Sequence, residues 1–190
     1  MNMLIDSLPE TVMADGRQYS IHTDFRNWIK FELLMLNHTI PIQNKIVEIL
    51  KLVYVDSLPP TLPEALSLAV NFYARPRDGN AAADNGKKGR QVYSFEQDDE
   101  YIYAAFLAQY GIDLQSASLH WWQFKAMFAG LDENNKIVKI MEYRSVNLSK
   151  IKDKNQRAFY RKMKELYKLP DLRTDEEKER DMVDIISSMF

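Results

Sequence analysis

Apolar residues along this chain recur mostly with a helical period. Asp24 is suited to cap a helix, and after it Phe25, Trp28, Ile29, Leu33 and Leu36 fall on one face. Asn37-His38 closes that helix. Pro41 can open the next, in which Ile42, Ile46, Ile49, Leu50 and Val53 form a single stripe. "DSLPPTLP" (Asp56–Pro63) reads as a stiff connector. A third helix, from about Pro63 to Ala74, carries Leu66, Ala69, Val70 and Tyr73. One early stretch departs from this period. In "ETVMADGRQYSIHT" (Glu10–Thr23), Asp15-Gly16 is a strong turn dipeptide and Tyr19 and Ile21 alternate after it. This predicts a β-hairpin over about residues 8–24. A lone hairpin is marginal in water, so it must lean on another element.

"RPRDGNAAADNGKKGRQ" (Arg75–Gln91) breaks the pattern and predicts a long polar loop over about residues 75–93. Helices resume at Ser94. Ser94-Phe-Glu-Gln97 has the spacing of a capping box, in which Ser94 and Gln97 cap each other's backbone N–H. Glu96, Asp98, Asp99 and Glu100 then fall in the first two turns, where the helix dipole favours negative charge. Tyr101 to Tyr110 holds no charge, the pattern of a helix buried nearly all round, and Gly111 stands where a terminating glycine belongs. Ser116 or Ser118 can cap a helix over Leu119–Ala129, ended by Gly130. Another helix is predicted over Asn135–Arg144, with Ile137, Ile140 and Met141 inward. The fold class is therefore mainly α, a bundle of about six to eight helices with an N-terminal hairpin. Its core is expected around Ile102, Phe106, Trp121, Phe124 and Phe128.

Composition adds bounds. The 190 residues, 46% apolar and 12% aromatic, suit one domain, taken as residues 1–170, with 171–190 as a separate tail. The absence of cysteine excludes disulfides, thiolate nucleophiles and Cys-based zinc sites. "MNMLIDSLPE" lacks the basic and apolar regions of a signal peptide, and no apolar run approaches the roughly 20 residues of a membrane helix. A soluble, intracellular protein is expected. A net charge of −2 gives no global reason to expect nucleic acid or membrane as partner.

Charge is unevenly spread, however. Lys136–Lys168 holds 11 Lys/Arg against 3 Asp/Glu, a balance of +8. Leu169–Phe190 holds 3 against 7, a balance of −4. The basic stretch is predicted helical, with Ile151, Phe159, Met163 and Leu166 on one stripe. The acidic one is predicted helical after Thr174 and ends in an apolar segment that must dock on this chain or another. The candidate partner-binding residues are therefore Lys150, Arg157, Arg161 and Lys164 on the basic helix, with Met182, Ile185, Ile186 and Phe190 on the tail.

Candidate chemistry does not accumulate. The acids are accounted for by a helix start. His22, His38 and His120 show no HxxxH, HxH or HExxH spacing, so no metal site is expected, and His120 reads as a core or capping imidazole. Trp121, Trp122, Phe124 and Phe128 read as an aromatic seam. Adjacent indoles point about 100° apart, so one can reach a second surface. "GNAAADNGKKG" fails the phosphate-loop pattern: six residues separate Gly79 from Gly86, and Lys88 stands where Ser or Thr is needed. No catalytic or cofactor-binding residue emerges, and an enzyme is not expected.

Five blocks carry a resemblance: "VMADGRQYSIHTDFRNWIKFELL" (Val12–Leu34), "NFYA" (Asn71–Ala74), "YSFEQDDEYIYAAFLAQYGIDL" (Tyr93–Leu114), "LHWWQFKAMFAGL" (Leu119–Leu131) and "KIMEYR" (Lys139–Arg144). Together they resemble the bacteriophage gene-product-fifteen family, found in tail modules of long-tailed phages and prophages of Gram-positive bacteria. The resemblance spans about Leu8 to Leu169. It implies tail morphogenesis in the host bacterial cytoplasm, most directly as an assembly chaperone that coats the tape-measure protein. The tail-tube protein, a second chaperone or a second copy of this chain are further partners it allows. A tail-completion or connector component retained in the virion is the alternative. Nucleic-acid binding through the basic 136–168 segment is a weaker one. The resemblance brings no catalytic residues and no cofactor.

Overall fold

The computed structural model describes residues 1–75 and 91–171. In chain order the elements are β1 (Thr11–Ala14), β2 (Arg17–Ser20), α1 (Phe25–Leu36), α2 (Ile42–Val53), α3 (Leu62–Ala74), α4 (Asp99–Tyr110), α5 (Trp121–Ala129), α6 (Lys136–Ser145) and α7 (Lys154–Leu166). A single 3-10 turn, Leu148–Lys150, precedes α7. The mainly helical expectation holds, with the hairpin at the N-terminal end.

The hairpin is antiparallel with Val12 opposite Tyr19, and Asp15 and Gly16 both take positive φ (45° and 70°). That is the turn geometry the Asp-Gly pair favours. Its support is backbone pairing beyond β2. His22 N–H donates to Val53 O (2.8 Å) and Val55 N–H to Ser20 O (3.1 Å), tying the hairpin to the end of α2. Trp121 N–H donates to Thr23 O (2.7 Å) and Phe25 N–H to Leu119 O (3.0 Å), joining the starts of α1 and α5.

The core is aromatic. Trp28, Trp121, Phe106 and Phe124 are fully buried, with Ile102 beside them, while Phe128 is half-buried against the same cluster. Phe124 stacks on Phe25 (4.9 Å between centroids) and on Phe106 (5.0 Å), and Trp28 meets Phe72 (4.8 Å). Each fully buried ring of this kind contributes roughly 1.5–3 kcal/mol through apolar burial.

Four local expectations are corrected. The Ser94 turn precedes α4 rather than opening it. Ser94 Oγ accepts from Gln97 N–H (3.3 Å), but the reciprocal bond comes from Asp98, whose Oδ2 accepts from Ser94 N–H (2.9 Å). Only Asp99 and Glu100 occupy the first turn. Second, α4 is not buried all round. Tyr101, Ala104, Leu107 and Ala108 face solvent because neutral residues there are simply left uncovered. Third, α5 is capped by His120, not by Ser116 or Ser118. The segment before it is held extended by the backbone bonds to α1, which brings the chain into a helix only at Trp121. Ile42, expected on the inward stripe of α2, is 59% exposed.

Candidate interaction surfaces

The polar side chains singled out in the sequence do not converge. His120 Nδ1 accepts from Trp122 N–H (3.0 Å), so its other nitrogen, Nε2, carries the hydrogen that reaches Pro9 O (3.1 Å). Gln123 Oε1 accepts from His120 N–H (3.1 Å), completing a capping box. Burial lowers the His120 pKa, which suits the neutral ring this cap needs.

Asp98 lies elsewhere, fully buried in a bidentate pair with Arg144 of α6 (2.5 and 2.9 Å). Arg144 also donates to Val92 O (3.1 Å) and Tyr167 O (2.5 Å). It thus ties the start of α4, the segment at Val92 and the end of α7 to one guanidinium. Among the described residues, no three His, Asp or Glu side chains form a metal-binding group.

The adjacent indoles serve one purpose. The last carbonyls of a helix have no intrahelical partner. At the end of α3, Trp121 Nε1 donates to Tyr73 O (3.0 Å) and Trp122 Nε1 to Phe72 O (2.8 Å). Lys125 Nζ donates to Tyr73 O (2.9 Å) and Ala74 O (3.1 Å), a cation where the helix dipole is negative. Beside this cap, Glu32 is buried and accepts from the hydroxyls of Tyr73 and Tyr93. Burial raises the Glu32 pKa and pushes Tyr93 up to about 12.

Sequence reasoning missed Glu32, Lys125 and Arg144, although a signal for each exists. Glu32 lies seven residues after Phe25, Lys125 four after Trp121, and Arg144 seven after Ile137. Each is a charge on the apolar stripe of its helix, which predicts a buried partner.

Among the surfaces of the described residues that retain exposed apolar side chains, two bear on binding. The first is a groove of about 220 Å³ between α1, α2 and α3. Phe31 and Met35, then Ile42, Ile46 and Ile49, then Leu66 and Val70 line it in three helical rows, with Lys45 as the only charged residue among the described lining. Met35, Ile42 and Val70 are about half exposed (45%, 59% and 46%).

The second surface is α7, which has no buried residue. Its stripe is split: Ile151 and Met163 are half-buried, while Phe159 and Leu166 are exposed. Of the predicted partner-binding cations, Arg157 is closed onto Ile151 O and Lys164 Nζ donates to Val146 O (2.6 Å). Lys150 and Arg161 are exposed. Met182, Ile185, Ile186 and Phe190 lie outside the described residues, as does most of the predicted loop.

The family model described as Bacteriophage Gp15 protein matches residues 4–169. The chain belongs to that family. No curated protein and no solved structure matches it. Membership makes this a phage structural or morphogenesis protein. Among the described residues of this Gp15-family protein, no helix is long and apolar enough to cross a membrane.

Proposed function

We propose that this Gp15-family protein is a tail assembly chaperone, which holds a helical segment of the tape-measure protein in the groove between α1, α2 and α3. The observation that carries the reading is the three apolar rows. Ile42, Ile46 and Ile49 on α2 face Leu66 and Val70 on α3, with Phe31 and Met35 at one end. An amphipathic helix laid in such a groove buries its own apolar residues, spaced three, four and seven apart, between these rows. Thioether side chains such as Met35 adapt to varied apolar partners, which suits a protein that must grip a long helix without one fixed register.

The action is binding rather than chemistry, and it takes place in the host bacterial cytoplasm before the tail is complete. The tail-tube protein is then the competitor that displaces the chaperone. The test is co-expression with the tape-measure protein. Ile42→Asp with Val70→Asp places charge on two already exposed positions, so the fold is retained. Co-purification is expected to fall at least about tenfold, a loss of ~1.4 kcal/mol. Undiminished co-purification removes the groove from the reading. Mass spectrometry of purified virions tests the alternative: a chaperone is absent from them, and a stoichiometric signal makes the protein a retained tail component.

A further inference from the structure

Helix α7 and a cleft on the far side of α4 have opposite chemistry. Helices α1, α4 and α5 and the segment after Gly111 enclose an open cleft of about 480 Å³. Its floor is apolar: Ile29 and Leu114 are half-buried there, above Phe95, Ile102 and Phe124, which are buried, and Asp99 and Glu100 stand on its lining from the first turn of α4. Both carboxylates are exposed, and among the described residues neither forms an ion pair. The guanidinium of Arg26 is already committed. It donates to Asp24 and to Leu114 O and Gln115 O (2.6 and 3.0 Å).

On α7, Phe159, Lys162 and Leu166 lie three and four residues apart, hence on one face. Phe159 is 49% exposed and Leu166 65%, and Lys162 is exposed and, among the described residues, forms no ion pair. The face offers apolar, cation, apolar. The cleft offers an apolar floor edged by two carboxylates.

These surfaces cannot meet within one chain. Residues two apart on a helix point about 200° apart. On α4, Asp99 and Tyr103 line the cleft, whereas Tyr101 lies near Lys136, which in turn sits over the ring of Tyr167 at the end of α7 (4.8 Å). Helix α7 therefore lies across α4 from the cleft.

We propose that α7 of one copy seats in the cleft of a second copy, with Leu166 and Phe159 on its apolar floor and the Lys162 ammonium paired with Asp99 and Glu100. The contact joins two different patches, so each copy has one of each to offer its neighbours. A 13-residue helix against one cleft is a small interface, which makes the association weak and, because its charges are exposed, weakened by salt. The proposal does not depend on the tape-measure reading, since it is read on the isolated protein.

Sedimentation velocity over a dilution series tests it, using the full chain and two charge-reversed variants, Lys162→Glu and Asp99→Lys/Glu100→Lys. All three positions are exposed, and circular dichroism confirms that helix content is retained. The wild type is expected to gain mass with concentration. Each variant alone puts like charges in contact and weakens association at least about tenfold. An equimolar mixture of the two variants restores opposite charges at every contact and recovers association. A wild type that stays monomeric at every concentration overturns the proposal, as does a mixture that associates no better than its components.

Discussion

The aromatic centre and helix α7 are built from similar residues and end in opposite states. Phe124 of α5 stacks on Phe25 of α1 and Phe106 of α4 within 5.0 Å, and the cluster excludes water. On α7, Phe159 makes T-shaped contacts with Tyr143 and Tyr160 and remains half exposed. The difference lies in what surrounds the ring. Phe106 and Phe124 are enclosed by α1, α4 and α5, whereas among the described residues α7 packs mainly on α6 and the 3-10 turn before it and leaves a flank open. An aromatic residue in the sequence therefore states an appetite for burial. The number of elements that can reach it decides whether the chain itself satisfies that appetite or a partner must.

The sharpest way to break this comparison is paired truncation. Phe106→Ala removes a ring that is 0% exposed and is expected to cost about 3–5 kcal/mol in denaturant unfolding. Phe159→Ala is expected to cost less than about 1 kcal/mol. Equal losses would mean that α7 is part of the same packed unit as the centre.

The next effect concerns the buried pair that links the two regions. Arg144→Met leaves Asp98 buried with its charge uncompensated and frees Tyr167 O at the end of α7. A loss of about 3 kcal/mol is expected, and neutralising both partners in Asp98→Asn/Arg144→Met should recover part of it. If the double variant is no more stable than the single one, the penalty does not come from the orphaned carboxylate.

Most of the fold was legible because helical period, turn dipeptides and caps are local. Asp24 caps α1 through Arg26 N–H (2.8 Å), Asp15-Gly16 turns the hairpin, and Gly111 ends α4 in a left-handed conformation (φ 65°). What escaped was non-local. The acids near Ser94 look alike in sequence, yet Asp98 is buried and Asp99 exposed, because only Asp98 shares the inward face of Ile102 and meets Arg144 46 residues on. The interaction surfaces were legible only in part. Period finds an apolar stripe on α2 and on α7, but not which members stay uncovered. That is set by neighbours brought in from elsewhere, as Ile42 and Leu166 show.

An effect smaller than that of the buried pair belongs to His120, and its sign is fixed by the cap. The ring must be neutral for Nδ1 to accept from Trp122 N–H, and burial lowers its folded-state pKa. A depressed pKa contributes stability that is fully present above the unfolded value of about 6.5 and is lost as pH falls through the folded value. His120→Asn keeps a capping acceptor but gives up the bond to Pro9 O and the titration. At pH 8 the substitution should therefore cost about 1 kcal/mol, and the gap should narrow as pH falls below 6.5, where the wild type alone weakens. Thermal unfolding of both proteins across that range is the measurement. A gap that widens on acidification would mean that the imidazolium is the favoured form, with the cap made by some other acceptor.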